Sequence, residues 1–104
     1  MSLDIRLNVE MYHGNITHNL NKMAEVAGVY ECLWRAEENG FYKAHQLIEP
    51  LEKGIAFLEE HKDYLKENYT PKNNWGSYEG LYTFCTELLH RCVTYPESDV
   101  EVSR

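Results

Sequence analysis

The sequence predicts a mostly helical α+β domain, with three to five helices and with N- and C-terminal strands forming a small sheet. Three observations carry this expectation. "LDIRLNVEM" alternates apolar and polar residues without a fault, "SDVEVSR" alternates again at the far end, and the residues between them repeat at helical spacing. At 104 residues the chain is expected to form one domain, 1–104, with a modest single core.

In the first segment Leu3, Ile5, Leu7, Val9 and Met11 face one side, and Asp4, Arg6, Asn8 and Glu10 the other, as in a half-buried strand. At the far end Val100 and Val102 share a face after the stop at Pro96. A lone strand leaves its backbone unsatisfied, so the two ends are expected to pair with each other or with a second copy.

The stretch "GNITHNLNKMAEVAG" reads as a helix opened by Asn15, Thr17, His18 and Asn19, with Ile16, Leu20, Met23 and Ala27 inward and Gly28 as terminator. "VYECLWRAEENG" reads as a short helix bearing Val29, Leu33 and Trp34, stopped at Asn39-Gly40. From Lys43 a longer helix carries Ala44, Leu47, Ile48, Leu51, Ile55 and Leu58. Pro50 removes the bond to Gln46, which predicts a kink or a fresh helix start there. "TPKNNWGS" reads as a loop, and Ser77 caps a last helix with Leu81, Phe84, Cys85, Leu88 and Cys92 inward.

Composition narrows the function. The net charge of −7 and the lack of a Lys/Arg run argue against binding nucleic acid, whose affinity comes largely from neutralised phosphates. No apolar run approaches membrane-spanning length and "MSLDIRLNVE" lacks a signal-peptide core, so a cytoplasmic protein with no membrane partner is expected. Cys85 and Cys92 lie too far apart on one helix for a disulfide, and Cys32 is odd. All three therefore read as buried apolar groups.

Chemical motifs are few. H-E-x-x-H and paired Cys/His zinc spacings are missing. Glu87 with His90 and Glu10 with His13 match half of a di-iron pattern, and His45 with Glu49 lie one helical turn apart. Solvated polar side chains are the better explanation of these pairs, so neither a metal nor another cofactor is expected. A G-x-S-x-G elbow is missing too, and His18 would need a nearby carboxylate such as Glu38 to act as a base.

Two polar turns offer more. The Asn15-to-Asn19 turn and the "NNWGSYEG" turn both read as helix starts, which hold phosphate or carboxylate through unpaired N–H groups. Together they bring Asn15, Thr17, His18, Asn19, Trp75, Ser77 and Tyr78, a set suited to a nucleotide-like ligand with its base on a ring. The plainer account is that Trp75 packs on the core and that Ser77 and Asn15 or Thr17 are caps.

The strings "NITHNLNKMAEVAGVYECLWRAEENG", "QLIEPLEKG", "NNWGSYEGL" and "VEVSR" resemble a family of short proteins common in phage genomes and phage-like elements, from about Gly14 to Arg104. The chain departs from that pattern at Ala36, where the family would place Pro in Arg-Pro-Glu-Glu. The resemblance implies a phage accessory protein. By analogy with other small phage proteins it implies a non-enzymatic one that sequesters a nucleotide-derived immune signal of ADP-ribose or cyclic-nucleotide type. In that reading Thr17, His18 and Asn19 bond sugar or phosphate, Trp75 and Tyr78 flank the base, and Arg35 and Arg104 meet phosphates. The expected state is a homodimer or higher homo-oligomer, which would cover the strand edges. The alternatives are a protein-binding inhibitor of a host defence enzyme and a small hydrolase or lyase acting on a nucleotide.

Overall fold

The computed structural model describes residues 2–7, 12–73 and 75–104, with the side chain of His13 left aside. The expected placements of Asn8, Val9, Glu10 and Met11, and the Glu10–His13 spacing, lie outside the described residues.

Strand β1 (Ser2–Leu7) lies at the centre of a three-stranded antiparallel sheet, between β2 (Tyr12–Thr17) and β3 (Val100–Ser103). The chain ends do pair with each other: Leu7 faces Val100 and Ile5 faces Val102. Strand β2 corrects the sequence reading. Gly14 to Thr17 are paired with Ser2 to Ile5 and belong to a strand. Leu3, Ile5, Leu7 and Ile16 turn into the core, while Arg6 and Asn15 lie on the open face.

A 3-10 turn (His18–Leu20) leads into α1 (Asn21–Ala27), which Gly28 ends in the left-handed conformation. Helix α2 (Tyr30–Trp34) follows, then a second 3-10 turn (Glu37–Asn39) ended by Gly40. Helix α3 (Ala44–Glu60) runs on through Pro50, so no new helix begins there. The single bond lost to proline is outweighed by a long buried face, Leu47, Leu51 and Leu58 all being fully enclosed. Gln46 secures its start: Oε1 accepts from the Tyr42 and Lys43 amides, each at 2.8 Å, and Nε2 donates to the Gly40 carbonyl at 2.9 Å.

Helix α4 (Lys62–Tyr69) is short, with only Leu65 buried. Helix α5 (Tyr78–Thr94) packs along α3 and against β2, with Leu81, Phe84, Cys85, Leu88 and Cys92 buried as their spacing predicts. One apolar core thus lies between the sheet and the helices. Among the described residues no helix is long and apolar enough to cross a membrane.

Candidate functional site

The polar turn at residues 15–19 is a strand-to-helix junction. Asn15 sits on β2, where its Nδ2 donates to Ser2 Oγ and to Asp4 Oδ1, each at 2.8 Å. Its amide is therefore engaged in tying β2 to β1. Thr17 caps the 3-10 turn: Oγ1 accepts from the Asn19 backbone N at 3.3 Å and from Asn19 Nδ2 at 3.2 Å. Helix α1, with seven residues and no side-chain cap, begins only at Asn21. The expectation of a helix N-terminus at Asn15–Asn19 is corrected accordingly, because strand pairing holds the backbone of Asn15 to Thr17.

The second turn is a true helix start. Ser77 Oγ accepts from the Gly80 amide at 3.0 Å at the head of the 17-residue α5. Gly76 has φ 113° and lies so close to the first turn that a Cβ there would stand 2.9 Å from both Thr17 Cγ2 and Leu20 Cγ. The two turns therefore meet. Beside this contact Trp75 holds its ring outward, 69% exposed, with its backbone N donating to Asn73 Oδ1 at 3.0 Å.

Tyr78 takes a different place from the one the sequence suggests. It is only 4% exposed, its hydroxyl donates to the Leu58 carbonyl, and its ring stacks on Tyr82 at 6.1 Å. Burial, and after it the Glu59 carboxylate, raises its pKa above the usual phenol value. It serves as a strut between α5 and α3 and offers no open plate for a base. The signal was present in the sequence, since Tyr78 precedes Leu81 by three positions and Cys85 by seven.

Arg35 and Arg104 come together over one turn of chain. Arg104 Nη1 donates to the Trp34 carbonyl at 2.7 Å and to Glu37 Oε1, and its Nη2 lies 3.7 Å from Glu38 Oε2. Arg35 Nη1 donates to the same Glu38 oxygen at 3.1 Å, and its Nε to the Tyr30 hydroxyl at 3.4 Å. Glu37 is held below the ordinary carboxylate pKa, first by its own backbone amide and then by Arg104. Arg35 is held above its ordinary value, first by the Tyr30 hydroxyl and then by Glu38.

Trp34 joins the two halves of the site. Its ring stacks on Tyr30 at 5.7 Å, the planes 9° apart, and stands 6.2 Å from the His18 ring, inclined at 60°. His18 follows Thr17, which touches Gly76. Neighbouring groups thus run from Gly76, through Thr17 and His18, to Trp34 and Arg104, with Trp75 and Ser77 flanking Gly76 and Arg35 following Trp34 in the chain. Sequence reasoning missed Trp34 as this link and Glu37 as the partner of Arg104. Pairs separated by tens of residues leave no local pattern.

Elsewhere, Glu87 and His90 line a cleft of about 340 Å3 with Tyr12, Thr86 and Arg91. A neighbouring cleft of about 450 Å3 between β2 and α5 is lined by Gly14, Asn15, Glu79 and Phe84, among others. Among the described residues no group of three or more His, Cys, Asp or Glu gathers as a metal-binding set. All three cysteines are buried and free. Glu38, the carboxylate named as an example of a partner for His18, pairs with Arg35 and Arg104. Comparison with protein-family models, curated proteins and solved structures finds nothing that matches this chain.

Proposed function

We propose that the chain is a phage accessory protein that binds and sequesters a small nucleotide-derived molecule without transforming it. The observation that carries this reading is the exposed Trp75 ring, next in sequence to Gly76, whose backbone lies against Thr17 and Leu20. An exposed indole ring suits stacking on a base. Around it Asn19 and Thr17 offer amide and hydroxyl groups to a sugar, and Ser77 stands at the start of α5. His18, Arg35 and Arg104 lie on the phosphate side, and Asn15 acts from behind by holding β2 to β1.

The resemblance to short phage proteins supports a role against host defence, with an ADP-ribose-type or cyclic-nucleotide signal as ligand, in the host cytoplasm and as a homo-oligomer.

Native mass spectrometry, before and after addition of a pool of ADP-ribose-type and cyclic nucleotides, tests the reading. A discrete added mass, released unchanged on denaturation and lost in Trp75→Ala, is expected. Release of an altered mass would make the protein an enzyme. A pool that leaves the spectrum unchanged would overturn the reading in favour of the protein-binding inhibitor.

A further inference from the structure

His18 Nε2 and Trp34 Nε1 are both shielded from solvent, and neither has a hydrogen-bond partner among the described residues. Their rings stand 6.2 Å apart. Trp34 is 3% exposed, and an indole N–H can only donate. Buried polar atoms in folded proteins are nearly always bonded, so two orphans on neighbouring rings mark unused hydrogen-bonding capacity in one place. Arg104 binds the carbonyl of the same Trp34, and Arg35 is the next residue in the chain.

We infer that His18, Trp34, Arg35 and Arg104 form a subsite for a phosphoryl or pyrophosphoryl group. The inference rests on the nucleotide reading and names the part of the ligand these residues take. Trp34, Arg35 and Arg104 offer donors only, the indole N–H and two guanidinium forks, and His18 Nε2 adds another when it carries a proton. A ligand amine or metal ion would meet donors from every side, whereas an oxyanion satisfies them all. Both guanidiniums already hold carboxylate oxygens, those of Glu37 and Glu38, in the geometry that also receives phosphate. A phosphoryl or pyrophosphoryl group carries oxygens for more than two donors, and a carboxylate has only two.

Admission of the group requires two adjustments. The Arg35–Glu38 and Arg104–Glu37 pairs are partly solvated, with Glu37 and Glu38 side chains 43% and 55% exposed, and pairs of this kind exchange readily. His18 is half-buried on a three-residue 3-10 turn, so its ring is the element that swings aside, while Trp34 stays clamped by Tyr30.

The test is calorimetric titration of wild type, Trp34→Phe and His18→Phe with sodium pyrophosphate, ADP-ribose and adenosine, alongside thermal melts of the free proteins. Expected are pyrophosphate binding to wild type and at least tenfold tighter binding of ADP-ribose than of adenosine. Both variants should lose tenfold or more for the two phosphate-bearing compounds and keep their affinity for adenosine. Unaltered pyrophosphate and ADP-ribose binding in the variants, or no pyrophosphate binding to wild type, would overturn the subsite. If adenosine binds through Trp75 and phosphates add nothing, the subsite fails and the nucleotide reading stands. If pyrophosphate binds through His18 and Trp34 but a parallel titration of Trp75→Ala shows no loss of adenosine or ADP-ribose binding, the subsite stands and the nucleotide reading fails. Should Trp34→Phe not fold, His18→Phe decides on the same compounds.

Discussion

The backbone of Gly76 rests on the side chain of Thr17. A Cβ at residue 76 would stand 2.9 Å from Thr17 Cγ2, and φ at that position is 113°. Two turns from distant parts of the chain are thereby held as one surface, with Trp75 at its edge.

Gly76→Ala should therefore destabilise the protein by about 1–3 kcal/mol, through a strained φ and a contact that cannot relax without moving Thr17 or Leu20. Trp75→Ala, which removes an exposed ring, should stay within about 0.5 kcal/mol. Chemical denaturation of the two variants checks the contrast. A Gly76→Ala variant as stable as wild type would show that the turns are not locked together.

Gly54 gives the core counterpart. A Cβ there would lie 2.1 Å from Val29 Cγ1, so α3 passes Val29 at a distance only glycine allows. Helix propensity alone favours alanine by about 1 kcal/mol in mid-helix. Overpacking should exceed that gain, leaving Gly54→Ala less stable by roughly 1–3 kcal/mol. The double variant Gly54→Ala/Val29→Ala should not add the two single losses, since the second change makes room for the first. Additive losses in urea titrations would count against the close approach.

The Arg104–Glu37 pair makes a pH-dependent prediction. The pKa of Glu37 is lowered below the ordinary carboxylate value in the folded chain, first by its backbone amide and then by Arg104. Its contribution to stability is then fully present above the ordinary value and is lost as pH falls through the depressed one. Glu37→Gln should lower stability at neutral pH by no more than about 1 kcal/mol, because the pair is partly solvated. The difference in melting temperature between wild type and variant should close on acidification below about pH 4. A gap that widens toward acid would reverse the assigned sign.

The thiols offer a probe of the intact core. Burial pushes Cys32 and Cys92 up to about 12, and Cys85 is raised as well, chiefly by desolvation. Thiolate is the reactive form, so an aromatic disulfide reagent at neutral pH should react with none of the three cysteines in the native protein and with all three in denaturant. Rapid native labelling of any one would place that residue outside the core.

Much of the architecture was legible because it is written in local periods. Leu3, Ile5 and Leu7 announce a strand by alternation, and Leu81, Cys85, Leu88 and Cys92 announce a helix by their spacing. Ser77 and Gly28 could be read as cap and terminator from residue type alone, because capping uses the side chain or φ of a single residue. Strand β2 was not legible. "YHGNIT" has a glycine and an asparagine in its middle and owes its extended form to pairing with β1, so its polar residues imitated a helix start. Of the two readings of Pro50, a fresh helix start is excluded, since the buried face of α3 outweighs one missing bond.

The sequence by itself determined the class of fold, the inward faces of β1, α3 and α5, and the cap and terminator at Ser77 and Gly28. The tertiary structure alone decided that Gly76 meets Thr17, that Arg104 folds back on Trp34 and Glu37, that Tyr78 goes into the core, and that His18 and Trp34 are left side by side with unbonded ring nitrogens among the described residues. Periodicity and capping depend on residues within a few positions of one another. These other relationships depend on where the whole packed core places distant segments, and no short stretch of sequence encodes that placement.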